Sequence, residues 1–282
     1  MKEIKGQQLS GERSLFMARE FYIEDTVFID GESPLKESKD IELYGSTFNW
    51  KYPLWYSENI KAENCKLTET ARAGIWYTHN IEMHDCNIEA PKTFRRASKI
   101  VLENITMPNA SETLWECRDI VIKNLTAKGD YLAMNCENMQ VEGLDLLGNY
   151  AFDGAKNITI RNSKLLTKDA FWNAENVTVY NSHISGEYLG WNAKNLTFID
   201  CMLESLQGLC YIENLVLKNC KLINTTLAFE YSTVVAEIDG GVDSVMNPSG
   251  GTITADYIGE LIIEKDKVDP SKTRINCKGG VK

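Results

Sequence analysis

The segments that start at Asn138, Asn157, Asn176, Asn195 and Asn214 read NMQVEGLDL, NITIRNSKL, NVTVYNSHI, NLTFIDCML and NLVLKNCKL, successive copies at a spacing of 19 residues. Few folds accept that period. Within each copy the apolar residues alternate, as in Ile158 and Ile160 or Val177 and Val179, which is the period-2 pattern of a strand with one buried face. Helical repeats need about 33 residues or more, and leucine-rich repeats need another Leu/Asn spacing. A β-turn-β coil of about 20 residues fits, so the period implies a parallel β-helix in which residues one coil apart lie above one another.

The same phase runs backward through Asp119, Lys99, Asn80, Asn59 and Asp40 and forward to Thr233. The expected architecture is all-β: a single-stranded right-handed parallel β-helix of about eleven rungs over residues 39–238, continuous as one domain. An open stack leaves unpaired edges at its ends, and the ends leave the repeat. Residues 1–38 lack the Asn phase, and residues 239–282 carry a Gly/Pro-rich break before a last β run, Leu261-Ile262-Ile263, so both segments are read as irregular caps.

A second column follows four residues after each first apolar position: Asn64, Asp85, Asn104, Asn124, Gly143, Asn162, Asn181, Asp200 and Asn219. Asn, Asp and Gly tolerate the left-handed backbone of a sharp corner, and stacked Asn amides can hydrogen-bond from coil to coil. The next column (Cys65, Cys86, Ile105, Leu125, Leu144, Ser163, Ser182, Cys201, Cys220) is small or apolar and is read as turned inward, its thiols stacked and reduced. The Asn-x-Thr triplets at Asn104, Asn124, Asn157, Asn176, Asn195 and Asn224 sit mostly at fixed phases of the repeat and reflect strand and turn chemistry, not glycosylation.

A formal net charge of −10 argues against a nucleic-acid or anionic-membrane partner and disfavours a polyanionic, pectin-like substrate. The opening MKEIKGQQLSGERSLF has charges and glycines where a secretory signal needs an apolar run. Eight cysteines form no Cys-x-x-Cys pair. A cytoplasmic protein is expected.

On its regular coils and Asn column the chain resembles the pectin-lyase-like right-handed parallel β-helix superfamily. More narrowly, YAFDGAKN (150–157), DAFWNAEN (169–176) and EYLGWNAKN (187–195) are similar to a family of uncharacterised bacterial β-helix proteins. The resemblance implies a fold and no reaction. The Asn-x-Asp, Asp-Asp, Gly-His-Gly and Arg-x-Lys set of polygalacturonase-like hydrolases does not stand here: there is no Asp-Asp pair, and His79, His84 and His183 have no glycine neighbours. Nor does a dense acidic cluster beside a base stand out, as Ca²⁺-assisted β-elimination needs. The histidines occupy different repeat positions, so neither metal nor cofactor is expected.

What remains is a surface. Four residues before each repeat start stand Trp55, Trp76, Arg95, Trp115, Met134, Asp153, Trp172, Trp191, Cys210 and Phe229. This column is either a packed interior stack or an outward platform for sugar rings. Beside it run Tyr131, Tyr150, Asp169 and Tyr188, and on the other side Arg96, Glu116, Asn135, Asn173, Asn192, Tyr211 and Glu230. Aromatic rings and amides interleaved in this way suit a polyhydroxylated ligand, and they equally suit a solvated face of like residues. Arg96 and Glu116 are expected to form a cross-strand ion pair.

Candidate ligand-binding residues are therefore Trp115, Tyr131, Asn135, Tyr150, Asp169, Trp172, Asn173, Tyr188, Trp191 and Asn192. Arg95 and Asp153 interrupt the aromatic column with charge, which in a buried ladder demands a partner or a wet pocket, and they are the candidate catalytic residues. Three functions are compatible with these residues. One is binding of a carbohydrate or other extended polar ligand; a second is a lyase or hydrolase acting on a small oligosaccharide, with Asp153 as acid or base and Arg95 orienting an acidic group. The third is a structural protein whose regular face associates with itself.

Overall fold

A computed structural model of the chain describes residues 1–280. The chain divides into two compact units, Met1–Leu146 and Leu147–Lys282. Both are built as parallel β-solenoids, and no α-helix occurs among the described residues.

In the first unit the strands Lys2–Lys5, Arg19–Glu24, Lys39–Tyr44, Glu58–Glu63, His79–His84, Ser98–Met107 and Arg118–Lys128 pair in parallel, each with the next. Their register stacks Ile41, Ile60, Ile81, Ile100 and Ile120 into one column whose members are all buried. In the second unit Lys156–Arg161, Glu175–Tyr180, Lys194–Ile199 and Glu213–Thr226 do the same, bringing Ile158, Val177, Leu196 and Leu215 into adjacent layers at 2% exposure or less. A 19-residue spacing thus becomes one step of a hydrophobic stack, as the repeat implies.

The number of coils differs from the expected eleven. Among the described residues the ladders of the two units hold fifteen coil strands in all, eleven of them within residues 39–238. The other four lie in the segments read as caps: Lys2–Lys5 and Arg19–Glu24 at one end, Gly250–Ala255 and Thr273–Cys277 at the other, all in register with their neighbours. Their corners hid them. Gly6, Asp25 and Gly45 hold the same left-handed conformation as Asn64 and Asp85 and extend that column backward with few asparagines. At the far end the paired residues Thr233↔Gly250 and Gly251↔Thr273 are separated by irregular lengths of chain.

The Asn columns are directional hydrogen-bond ladders. In the second unit Asn176 Nδ2 donates to Asn157 Oδ1 at 3.0 Å, Asn195 to Asn176 at 2.8 Å and Asn214 to Asn195 at 3.0 Å. All four residues have φ between 54° and 62°, a conformation that costs other L-residues roughly 1–2 kcal/mol. Each amide accepts from the coil after and donates to the coil before, so the first member need only accept. That position is repeatedly Asp: Asp40 receives Asn59 at 2.7 Å, Asp85 receives Asn104 at 3.0 Å and Asp200 receives Asn219 at 2.7 Å.

Replacing Asn176 by Ala removes both ladder bonds and leaves a Cβ-bearing residue at positive φ without the amide. The urea midpoint is expected to fall by the equivalent of about 1–3 kcal/mol, with Asn176→Gly falling by less because its backbone is unstrained.

Candidate functional site

Each coil turns a corner where one side chain points in and the next points out. In the first unit the inward residues Leu54, Ile75, Phe94 and Leu114 are at most 1% exposed, and the residues that follow them, Trp55, Trp76, Arg95 and Trp115, are only half-buried. In the second unit Phe152, Phe171 and Leu209 point in, whereas Asp153, Trp172 and Trp191 are half-buried on the outside. The tryptophan column is therefore an outward one. Cys210 and Phe229, which the sequence count puts at its end, are fully buried instead.

The indoles are pinned to the following coil. Trp76 Nε1 donates to the Lys92 carbonyl at 2.8 Å, Trp115 Nε1 to that of Tyr131 at 2.7 Å and Trp172 Nε1 to that of Tyr188 at 3.1 Å. Fixed in this way, the rings form rigid walls, and ordering them on a ligand costs little further entropy. In the first unit Trp55 and Trp76 stack at 5.3 Å with planes 10° apart, and Tyr56 stacks on Tyr77 at 4.7 Å.

Arg95 fills the gap in that wall. Its guanidinium carbon lies 4.6 Å from the ring centre of Trp76 and 4.6 Å from that of Trp115, so cation–π attraction acts on both faces, worth roughly 0.5–2 kcal/mol each. Nη2 stands 3.9 Å from Glu112, which Lys92 also holds at 3.0 Å, and the enclosed Nε has no acceptor. The charge of Arg95 is thus accommodated by the two indoles. Arg96, on the neighbouring outward position, donates to Glu116 at 2.6 Å, the expected ion pair. Tyr131 and Asn135 are exposed beside this wall.

In the second unit Trp172 and Trp191 lie 6.4 Å apart with planes tilted by 37°, Trp191 continues onto Tyr211 at 4.6 Å, and Tyr211 onto Tyr231 at 5.2 Å. Next to them runs an amide ladder, in which Asn173 Nδ2 donates to Asp153 Oδ1 at 3.0 Å and Asn192 Nδ2 to Asn173 Oδ1 at 2.8 Å. Asp153 is the accepting start of this ladder, in the same role as Asp40, Asp85 and Asp200. A shallow groove of about 440 Å³ opens between Asn192, Lys194, Tyr211, Glu213, Tyr231 and Thr233.

The two candidate catalytic charges fall in different units, Arg95 in the first and Asp153 in the second. Ligand candidates of the second unit, Tyr150, Asp169, Trp172, Asn173, Tyr188, Trp191 and Asn192, fall on three successive coils. Tyr231 was missed and Tyr211 undervalued by sequence reasoning. The register shift between Glu204 and Leu206 displaces that coil from the 19-residue count, although the Tyr211/Tyr231 spacing of one coil was a readable signal.

A family model described as a protein of unknown function, DUF3737, matches residues 2–276. The chain belongs to the DUF3737 family. No curated protein matches it. Among solved structures it is similar to the Azotobacter vinelandii mannuronan C-5 epimerase AlgE4 A-module at 10% identity, covering 97% of this chain and 88% of that one with a TM-score of 0.35. The tailspike of E. coli bacteriophage HK620, solved with a pentasaccharide, aligns at 9% identity over 98% of this chain and 67% of its own, with a TM-score of 0.43. The periplasmic alginate epimerase AlgG aligns at 7% identity over 98% and 74%, with a TM-score of 0.33. At such scores no residue or ligand is carried over from them.

Among the described residues no group of three His, Cys, Asp or Glu side chains is placed to hold a metal, and no helix is long and apolar enough to cross a membrane. One acid of this DUF3737 chain differs from the rest. Asp169 is 7% exposed, and burial, reinforced by the nearby Glu187 carboxylate, pushes its pKa above the ordinary carboxylate value, Lys168 offsetting this in part.

A raised folded-state pKa means that the native state binds the proton more tightly than the unfolded chain, so stability falls as pH rises from the ordinary Asp value through the folded one. Asp169→Asn is therefore expected to raise the urea midpoint at neutral pH. Below the ordinary carboxylate range, where the wild-type group is protonated in both states, that advantage is expected to vanish.

Proposed function

We propose that this chain is a carbohydrate-binding β-helix protein whose ligand lies along the outward aromatic and amide columns of the second unit. One observation carries this reading. Successive coils present Trp172, Trp191, Tyr211 and Tyr231 as a continuous, half-open run of rings with Asn173 and Asn192 beside it. Sugar rings have apolar faces that stack on aromatic rings and equatorial hydroxyls that pair with amides, so rings and amides side by side match both halves of a saccharide.

The rigidity of the columns supports the same reading. Trp172 is held by its indole hydrogen bond, and Asn173 and Asn192 by the ladder that starts at Asp153, so donors and rings are already in place before a ligand arrives. The groove at Tyr211 and Tyr231 continues this surface.

Screening on a glycan array, followed by calorimetry on the hits, tests the proposal. Trp191→Ala, which removes the ring between Trp172 and Tyr211, is expected to weaken binding at least about tenfold, roughly 1.4 kcal/mol, with the urea midpoint changing little. If no saccharide binds, or if Trp191→Ala and Tyr211→Ala bind like the wild type, the reading fails.

A further inference from the structure

Asp169 stands where its column neighbours are tyrosines. Tyr150 N–H donates to the Lys168 carbonyl at 2.9 Å and Asp169 N–H to the Glu187 carbonyl at 2.8 Å, the parallel register that puts Tyr150, Asp169 and Tyr188 one above another. All three hold φ between 54° and 57°. Two coils separate the tyrosines, roughly 9–10 Å by strand spacing, and the short carboxylate between them leaves out one ring of the row.

The rings around this gap meet at right angles. Tyr150 lies 6.1 Å from Trp172 with planes at 83°, and Tyr188 lies 5.8 Å from Trp191 with planes at 81°. Trp172 and Trp191 close the side between the two corners at 6.4 Å. The short Asp169 side chain thus interrupts a row of rings at a position flanked in its own column by Tyr150 and Tyr188.

Asp169 as a residue is largely buried, its carboxylate oxygens keep some contact with solvent, and the carboxylate makes no hydrogen bond or ion pair with any described residue. Lys168, the adjacent cation, directs its ammonium to Glu187 at 3.2 Å instead. A carboxylate partly withdrawn from water gains from a partner, and ladder acids such as Asp153 have one in an Asn amide whereas Asp169 does not. A hydroxyl could satisfy one lone pair of Asp169, but only a cation would also neutralise it and be attracted to the faces of the surrounding rings. The acidic balance of the whole chain, −10, draws cations toward it.

We propose that Asp169 is the cation-recognising residue of the saccharide site and that the ligand is an amino sugar carrying a free, protonated amine. This rests on the carbohydrate reading above and names its ligand class. The ammonium lies against Asp169 between Tyr150 and Tyr188, and the sugar ring extends along Trp172, Trp191 and the Asn173–Asn192 ladder. Acetylation of the amine removes its charge and adds bulk, so an N-acetylated sugar loses the interaction with Asp169; a uronate is repelled.

The experiment is calorimetric titration of the full chain near neutral pH with the glucosamine disaccharide, its di-N-acetylated counterpart and glucuronic acid, on wild type, Asp169→Asn and Trp191→Ala, with folding checked by circular dichroism. Wild type is expected to prefer the free amine by about tenfold or more, Asp169→Asn to lose that preference, and Trp191→Ala to weaken whatever saccharide binding remains. Equal affinity of wild type for the free and acetylated sugars, or an unchanged preference in Asp169→Asn, overturns the assignment of Asp169 while leaving a saccharide site sensitive to Trp191. Absence of binding to all three sugars overturns the amino-sugar assignment, and the array result then decides the broader reading separately.

Discussion

The parallel backbone ladder, closed once per coil, is the constraint from which everything else in this molecule follows. Because each N–H reaches the carbonyl of the next coil in a fixed register, a side chain at one phase of the repeat must live with the same phase above and below it. Like residues then become columns. Isoleucine and leucine columns supply the core, asparagine columns supply the corners, and aromatic columns supply a wall, each stabilised by contacts that a solitary residue could not make.

Much of this was legible in the sequence. The 19-residue phase and the alternation within NITIR and NVTVY were enough for the coil, the stacked core and the left-handed Asn corners, because these depend only on local chemistry repeated in register. The tryptophan column was not resolved in the same way. Trp55, Trp76 and Trp115 follow Leu54, Ile75 and Leu114, so two adjacent positions are both apolar, and at a corner with positive φ strict alternation no longer tells which one points in. Terminal coils escaped notice because Gly6, Asp25 and Gly45 turn the chain without the Asn signature, and because the last coils vary in length.

The charges illustrate a second limit. Arg95 and Asp153 drew attention as interruptions of the aromatic column, yet the structure accounts for each with local partners: two indole faces for the first and an Asn amide for the second. Asp169 was named in sequence only as one ligand-binding candidate in a column of tyrosines. Its isolation is a property of three dimensions, since only the fold shows that Lys168 pairs elsewhere and that no described residue pairs with the carboxylate. A largely buried acid without a charged or amide partner is the more informative anomaly, because the folded chain bears its partial desolvation with no compensating contact of its own.

Columnar stacking in register is the central claim, and cross-linking across one coil tests it most directly. Thr178 and Thr197 are outward neighbours in the ladder, 19 positions apart. With cysteine at both, a short bifunctional thiol reagent such as dibromobimane should join them in the folded chain, and peptide mapping by mass spectrometry should recover the 178–197 link. With cysteines at Thr178 and Val216, which are two coils apart, the yield should fall sharply. Failure of the first pair to cross-link while the second does so would contradict the register on which the core, the ladders and the aromatic wall all depend.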